Sequence, residues 1–134
     1  MAYLIDTSAI WHLYRNPPVL ARWDDEINAG LIRLCPSTRI EFLRSAESSF
    51  HRDEMAERLD ILFSSVAMPK KAWEWSENAQ YKLTQKGQHR APGAMDLVLC
   101  AAAVHHNMTV LHVDNDFKTV ASVLPEVQQL DIRR

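Results

Sequence analysis

Apolar and polar positions divide the chain into short apolar runs and longer amphipathic stretches. Residues 2–5 (AYLI), 31–35 (LIRLC), 66–69 (VAMP), 109–113 (TVLHV) and a stretch near 127–132 are short apolar runs and predict five strands. They do not alternate polar with apolar, which predicts strands covered on both faces, as in a parallel sheet. The spacing between them predicts helices. One spans 6–14. A second spans 16–30, opening on Asn16 and two prolines, ending at Gly30, and placing Val19, Leu20, Trp23 and Ile27 on one face. A third covers 37–46, and another runs on through Phe63, with Met55, Leu59, Leu62 and Phe63 at helical spacing. Residues 70–87 form a helix closed by Gly87 that buries Ala72, Trp73, Ala79 and Leu83. The helix over 96–106 is apolar nearly all round, and a short one covers 114–123. Strands alternating with helices predict an α/β fold with a parallel sheet flanked by helices on both faces. No repeat or linker divides residues 1–134, so one domain is expected.

Composition narrows the function classes. A chain of 134 residues suits one domain with a proper core. Net charge is −2, so any polyanion would need a local basic patch or a metal ion. Cys35 and Cys100 lie in apolar stretches and read as reduced core residues of an intracellular protein. The start, MAYLIDTSA, shows no leader peptide, and the run Leu97–Val104 is too short to cross a bilayer. A cytoplasmic protein without membrane contact is expected.

The acids change the picture most. Asp6 follows the first strand directly, and Asp114 and Asp116 follow the TVLHV strand. Glu41 lies one turn into the helix after the second strand, and Asp96 opens the apolar helix. In an open parallel sheet, residues beyond the strand carboxyl ends line the crevice where ligands bind. Carboxylates gathered there repel one another by about 4 kcal/mol per pair at 4 Å and an effective dielectric of about 20. Oxygen-only ligands favour hard cations, Mg²⁺ or Mn²⁺. The same residues also read as helix caps: Asp6 for a helix from Ser8, Asp114 for the helix after it, Asp96 for a helix from Leu97, and Thr38 with Glu41 as a capping box. Capping does not require strand-end placement at every site, and it leaves Asp116 unexplained.

The segments LIDTSA, EFL (41–43) and PGAMDLVLCAAAVHHNMTVLHVDNDF (92–117) resemble the PIN-domain family, and within it the VapC-type toxins of toxin–antitoxin pairs. The resemblance covers essentially the whole chain as one PIN domain. It implies a metal-dependent endoribonuclease using Mg²⁺ or Mn²⁺, with catalytic Asp6, Glu41, Asp96 and Asp114. Asp6, Asp96, Asp114 and Asp116 would serve the metal, and Thr7 or Ser8 would be the accessory hydroxyl. It implies structured RNA (transfer or ribosomal) as substrate, cut to a 3′-hydroxyl and a 5′-phosphate. A VapB-type antitoxin, a homodimer and a higher toxin–antitoxin assembly are implied partners. One departure is LHVD, where relatives often carry a threonine hydroxyl before the aspartate; here His112 and Val113 stand. The alternative is a catalytically silent PIN-fold module that binds RNA or protein.

Lys70, Lys71, Lys82, Lys86, His89 and Arg90 form the densest basic stretch and read equally as phosphate contacts or as a solvated helix face. Trp11 and Trp75 could stack on bases, but core or subunit packing is the first reading; Tyr81 reads as exposed. His105 and His106 suit a helix C-terminus and lack a second ligand pair for zinc. Only three glycines, at 30, 87 and 93, exclude a phosphate-cradling loop. An EF-hand fails because Thr119 stands at loop position six and Pro125 at position twelve.

Overall fold

A computed structural model describes residues 1–133. The chain runs β1 (Tyr3–Ile5), α1 (Thr7–Arg15), α2 (Pro17–Arg22), α3 (Asp24–Asn28), β2 (Ile32–Leu34), α4 (Pro36–Leu43), α5 (Ser49–Leu62), β3 (Ser64–Ser65), α6 (Ala72–Gln85), α7 (Ala94–His105), β4 (Thr109–His112), α8 (Asn115–Val123) and β5 (Gln128–Asp131). All strand pairs are parallel, and the order across the sheet is β3-β2-β1-β4-β5. The chain therefore winds outward from β1 to one edge, then crosses back to lay β4 on the other side of β1. Leu4 stands beside Val110 and Ile5 beside Leu111, which aligns the carboxyl ends of the two central strands.

Side chains of one strand alternate between two cores, as a pleated strand requires. Leu4 and Val110 pack with Ala79 and Leu83 of α6, the buried stripe of α7, and Phe117 and Val120 of α8. Ile5, Ile32, Leu34 and Leu111 pack with Ile10 and Leu13 of α1, Phe42 of α4 and Leu59 of α5. Helices thus cover both faces, as the apolar runs predict. Seven successive residues of α7, Leu97–Ala103, are buried, because α6, α4 and the sheet surround it. Cys35 and Cys100 are free thiols inside this core. Among the described residues, no helix is long and apolar enough to cross a membrane.

Several boundaries differ from the sequence expectation. The stretch 16–30 is two short helices broken at Trp23, whose backbone (φ −102°, ψ 8°) caps both. Gly30 still ends it at φ 69°. The third strand is Ser64–Ser65 rather than 66–69. Only Arg33 and Leu34 of the three-residue β2 pair with it, so the ladder ends there and Val66 adds a last N–H bond to the Leu34 carbonyl. The apolar run 66–69 instead forms the crossing that leaves the sheet. Trp73 is 64% exposed, not buried. The inward stripe of α6 is Ala72, Ser76, Ala79 and Leu83, and Trp73 sits one residue, about 100°, off it. Ser76 tolerates burial because its hydroxyl donates to the Ala72 carbonyl at 2.7 Å.

Candidate active site

Two acids stand where the central strands end. Asp6 caps α1, and its Oδ2 accepts from the Ser8 N–H (3.1 Å) and the Ser8 hydroxyl (2.6 Å). Asp114 caps α8, its Oδ1 accepting from the Asp116 N–H at 2.9 Å. Both capping roles read from the sequence are therefore realised, and both caps follow the adjacent central strands β1 and β4, between which the strand order reverses. Asp96 arrives from α7. That helix starts at Ala94 rather than at Asp96, so Asp96 occupies its third position and its carboxylate accepts from the Gly93 N–H at 2.9 Å. The Thr38–Glu41 capping box does not form: Pro36 already begins α4, Thr38 is buried inside it, and Glu41 accepts instead from the Thr7 hydroxyl at 2.5 Å.

Thr7 and Ser8 therefore have separate tasks. Thr7 steadies Glu41, which is exposed on α4. Ser8 donates to Asp6 while its oxygen accepts from the Val113 N–H at 3.0 Å, joining the ends of β1 and β4. His112, the departure noted in the sequence, is fully buried, and its Nδ1 accepts from the Asp114 N–H at 3.0 Å. Sequence reasoning assigned it no task; the only signal was a polar ring at the end of an apolar run.

Asp96, Asp114 and Asp116 can each turn one carboxylate oxygen to within 4.8 Å of the others. Asp6 and Glu41 flank this trio closely enough to act on Asp96 by charge. The trio puts Asp116 in the tight group, whereas Asp6, tied to Ser8, stands beside it. Burial, then the charges of Asp6, Asp114 and Glu41, outweigh the Gly93 hydrogen bond and push Asp96 up to about 6. Burial also raises Asp6, partly offset by the Ser8 bonds, with Glu41 adding to the rise. Asp116 is raised by desolvation and by the neighbouring Asp114 charge. Among the described residues, none of the five acids has a salt bridge. Lys118, two residues beyond Asp116, turns instead to the buried Asp131, 3.6 Å away. Arg133 binds both oxygens of Asp131 and holds that carboxyl far below the usual range. The local counter-charge is thus drawn to β5 and away from the crevice. The donor set is all oxygen, which suits a hard divalent cation.

The basic residues divide into two groups. α6 and α7 pack as an antiparallel hairpin, so Lys71 shares a cleft with Val104 and His105, and Lys70 borders His105 and His106. That end lies roughly 14 Å along α7 from Asp96. Lys82, Lys86 and Arg90 lie toward the other end, where α6 turns into the acidic end of α7. Trp11 packs on Phe42 with ring centroids 4.7 Å apart, and Trp75 packs half-buried on the core. His106 Nε2 bonds the Ala67 carbonyl at 2.7 Å.

Fold and site together define a doubly wound α/β protein with a cluster of carboxylates at its switch point that no salt bridge neutralises among the described residues. A family model described as PIN domain matches residues 3–123, and the chain belongs to the PIN-domain family. Among curated relatives, Ribonuclease VapC21 of Mycobacterium tuberculosis is 36% identical over 122 residues, covering 90% of this chain and 87% of that protein. Among solved structures, VapBC-1 from nontypeable Haemophilus influenzae superposes with a TM-score of 0.79 at 18% identity over 100% of both chains. VapBC2 from Rickettsia felis, bound to a DNA fragment from its promoter, gives 0.78 at 15%, covering 97% of this chain and 98% of that one. At these identities the two structures attest the fold.

Proposed function

We propose that this chain is a divalent-metal-dependent endoribonuclease and the toxin of a VapBC-type pair. The observation that carries the reading is the trio Asp96, Asp114 and Asp116, gathered within 4.8 Å at the switch point of a PIN fold and, among the described residues, without a salt-bridge partner. The relatives named as VapC ribonucleases support RNA as the substrate class. Structured RNA, transfer or ribosomal, is the expected target.

Mg²⁺ or Mn²⁺ held by the trio with Asp6 beside it would neutralise charge on the scissile phosphate and lower the pKa of a bound water. The chain's own groups do the rest. Asp96 must lose its proton, which its position near 6 allows at neutral pH. Thr7 occupies Glu41 Oε1, leaving Oε2 to accept the proton of the attacking water. The new bond is water oxygen to phosphorus; the bond that breaks is phosphorus to the 3′ oxygen, which takes a proton from solvent. Products are a 3′-hydroxyl and a 5′-phosphate. Lys82, Lys86 and Arg90, toward the Asp96 end of the α6–α7 hairpin, would be the cations that contact RNA phosphates. An antitoxin tail carrying arginine or lysine would satisfy the same carboxylates and silence the site. The VapBC names of the structural neighbours support such a partner. One domain over 1–134, a homodimer and a larger toxin–antitoxin assembly complete the reading, in a cytoplasmic protein.

The test is cleavage of transfer and ribosomal RNA by purified protein, with 5′-end mapping. Cleavage should require Mg²⁺ or Mn²⁺ and fall at least about 100-fold in Asp6→Asn. Undiminished cutting in EDTA and in that variant would sink the metal mechanism.

A further inference from the structure

Two successive backbone N–H groups emerge between the end of β4 and the start of α8, and side chains capture both. Val113 donates to Ser8 Oγ and Asp114 to His112 Nδ1, each at 3.0 Å. A backbone N–H can only donate, so Nδ1 carries the lone pair. The neutral ring then bears its proton on Nε2, which donates to Gln129 Oε1 of β5 at 2.6 Å. The ring lies against Phe117, centroids 5.1 Å apart. The His112 carbonyl accepts from the Ile132 N–H at 2.9 Å. The imidazole is thus wholly buried and held by β5, by α8 and by the peptide it supports.

We propose that His112 is a positioning residue of the acidic crevice. Its Nδ1 fixes the Asp114 peptide, and through it the aim of the Asp114 and Asp116 carboxylates, while Gln129 selects the tautomer that leaves Nδ1 free to accept. The geometry is an Asx-type turn, side chain of residue i to N–H of i+2, built with imidazole in place of a short amide. Without the acceptor, the Asp114 N–H is left to find a partner by turning the peptide, and the carboxylates turn with it. The kinetic part of this inference rests on the ribonuclease reading; the geometric part does not.

Two substitutions separate positioning from mere packing. His112→Leu keeps a similar apolar volume and removes the acceptor. His112→Asn restores an acceptor at nearly the same place but leaves a void and abandons Gln129. Packing alone ranks Leu at or above Asn in every measurement. Positioning ranks Asn above Leu in affinity for Mn²⁺ and in kcat, even where Leu has the higher Tm. The expected loss for Leu is about 10- to 100-fold in Mn²⁺ affinity, as for other residues that orient metal ligands, with KM for RNA unchanged within about twofold and most of the loss recovered in Asn. In the wild type, imidazole ¹⁵N spectra should show an unprotonated Nδ1 coupled across the hydrogen bond to the Asp114 amide. A protonated Nδ1, or wild-type Mn²⁺ affinity in His112→Leu, overturns the proposal. If the wild type cuts no RNA but the Mn²⁺ affinities keep their order, positioning stands and the ribonuclease reading falls. If both variants fail to fold, the wild-type spectrum decides.

Discussion

Asp96 shows how a single carboxylate carries both stability and chemistry. Its pKa is raised from 3.8 to about 6, so the native state holds its proton more tightly than the unfolded chain. Above pH 6 the ionised group therefore opposes folding in full. The opposition fades as pH falls through the window from about 6 to 3.8. Asp96→Asn keeps an oxygen for the Gly93 N–H and removes the charge. Discounted for solvent screening of a part-exposed group, it should stabilise the metal-free protein by about 1–2 kcal/mol above pH 6. That corresponds to about 4–7 °C in Tm, with little gain near pH 4. RNA cleavage should be lost at the same time. Thermal melts of both proteins across this range check the sign, and an Asn variant less stable at pH 8 would contradict it. Asp96 was visible in the sequence, but its placement was not: a helix from Leu97 made it a cap, whereas the helix begins three residues earlier, at Ala94, and sets Asp96 in its first turn beside Asp114 and Asp116.

Elements meet through individual hydroxyls. Ser8 spans from α1 to the end of β4, a separation of 105 residues. Ser8→Ala leaves the Val113 N–H and the Asp6 carboxylate each short of a partner, which costs about 1–3 kcal/mol. Urea unfolding should show a lower midpoint at unchanged slope, and Mn²⁺ binding should weaken; an unaltered midpoint would mean the bridge contributes nothing. The α6–α7 hairpin makes a second prediction. Replacing Lys82, Lys86 or Arg90 by Ala should weaken RNA binding and reduce the slope of log K against log salt by about 0.7 per residue for single-stranded regions. Lys70→Ala and Lys71→Ala, at the far end, should leave that slope alone, and an equal loss from both groups would argue against the division. Element identity was largely legible because periodicity is a local property. The misreadings share one cause, neighbours distant in sequence. The short β2 ends the β3 ladder before the run 66–69, and the packing of α6 selects Ser76 over Trp73 for its buried stripe.

At the scale of the molecule, the cation and the fold are coupled. Gathered carboxylates oppose the apo fold, and a bound cation would reverse the sign of their contribution. Mn²⁺ or Mg²⁺ should therefore raise Tm, and more at pH 8 than at pH 5, where protons compete for Asp96. An equal rise at both pH values would detach the stabilisation from these acids. What the sequence by itself determined is local: which runs are apolar enough to be buried strands, where Asp6 and Asp114 can cap, and that all donors in question are oxygens. Tertiary structure alone decided which of these groups meet. The strand order sets β4 beside β1, hands Thr7 to Glu41 across 34 residues, and leaves Lys118 to Asp131 rather than to the crevice. The physical reason is that hydrogen-bond periodicity and side-chain polarity are written within a few residues, whereas electrostatic neighbours are set by the crossing of a chain whose contacts lie far apart in sequence.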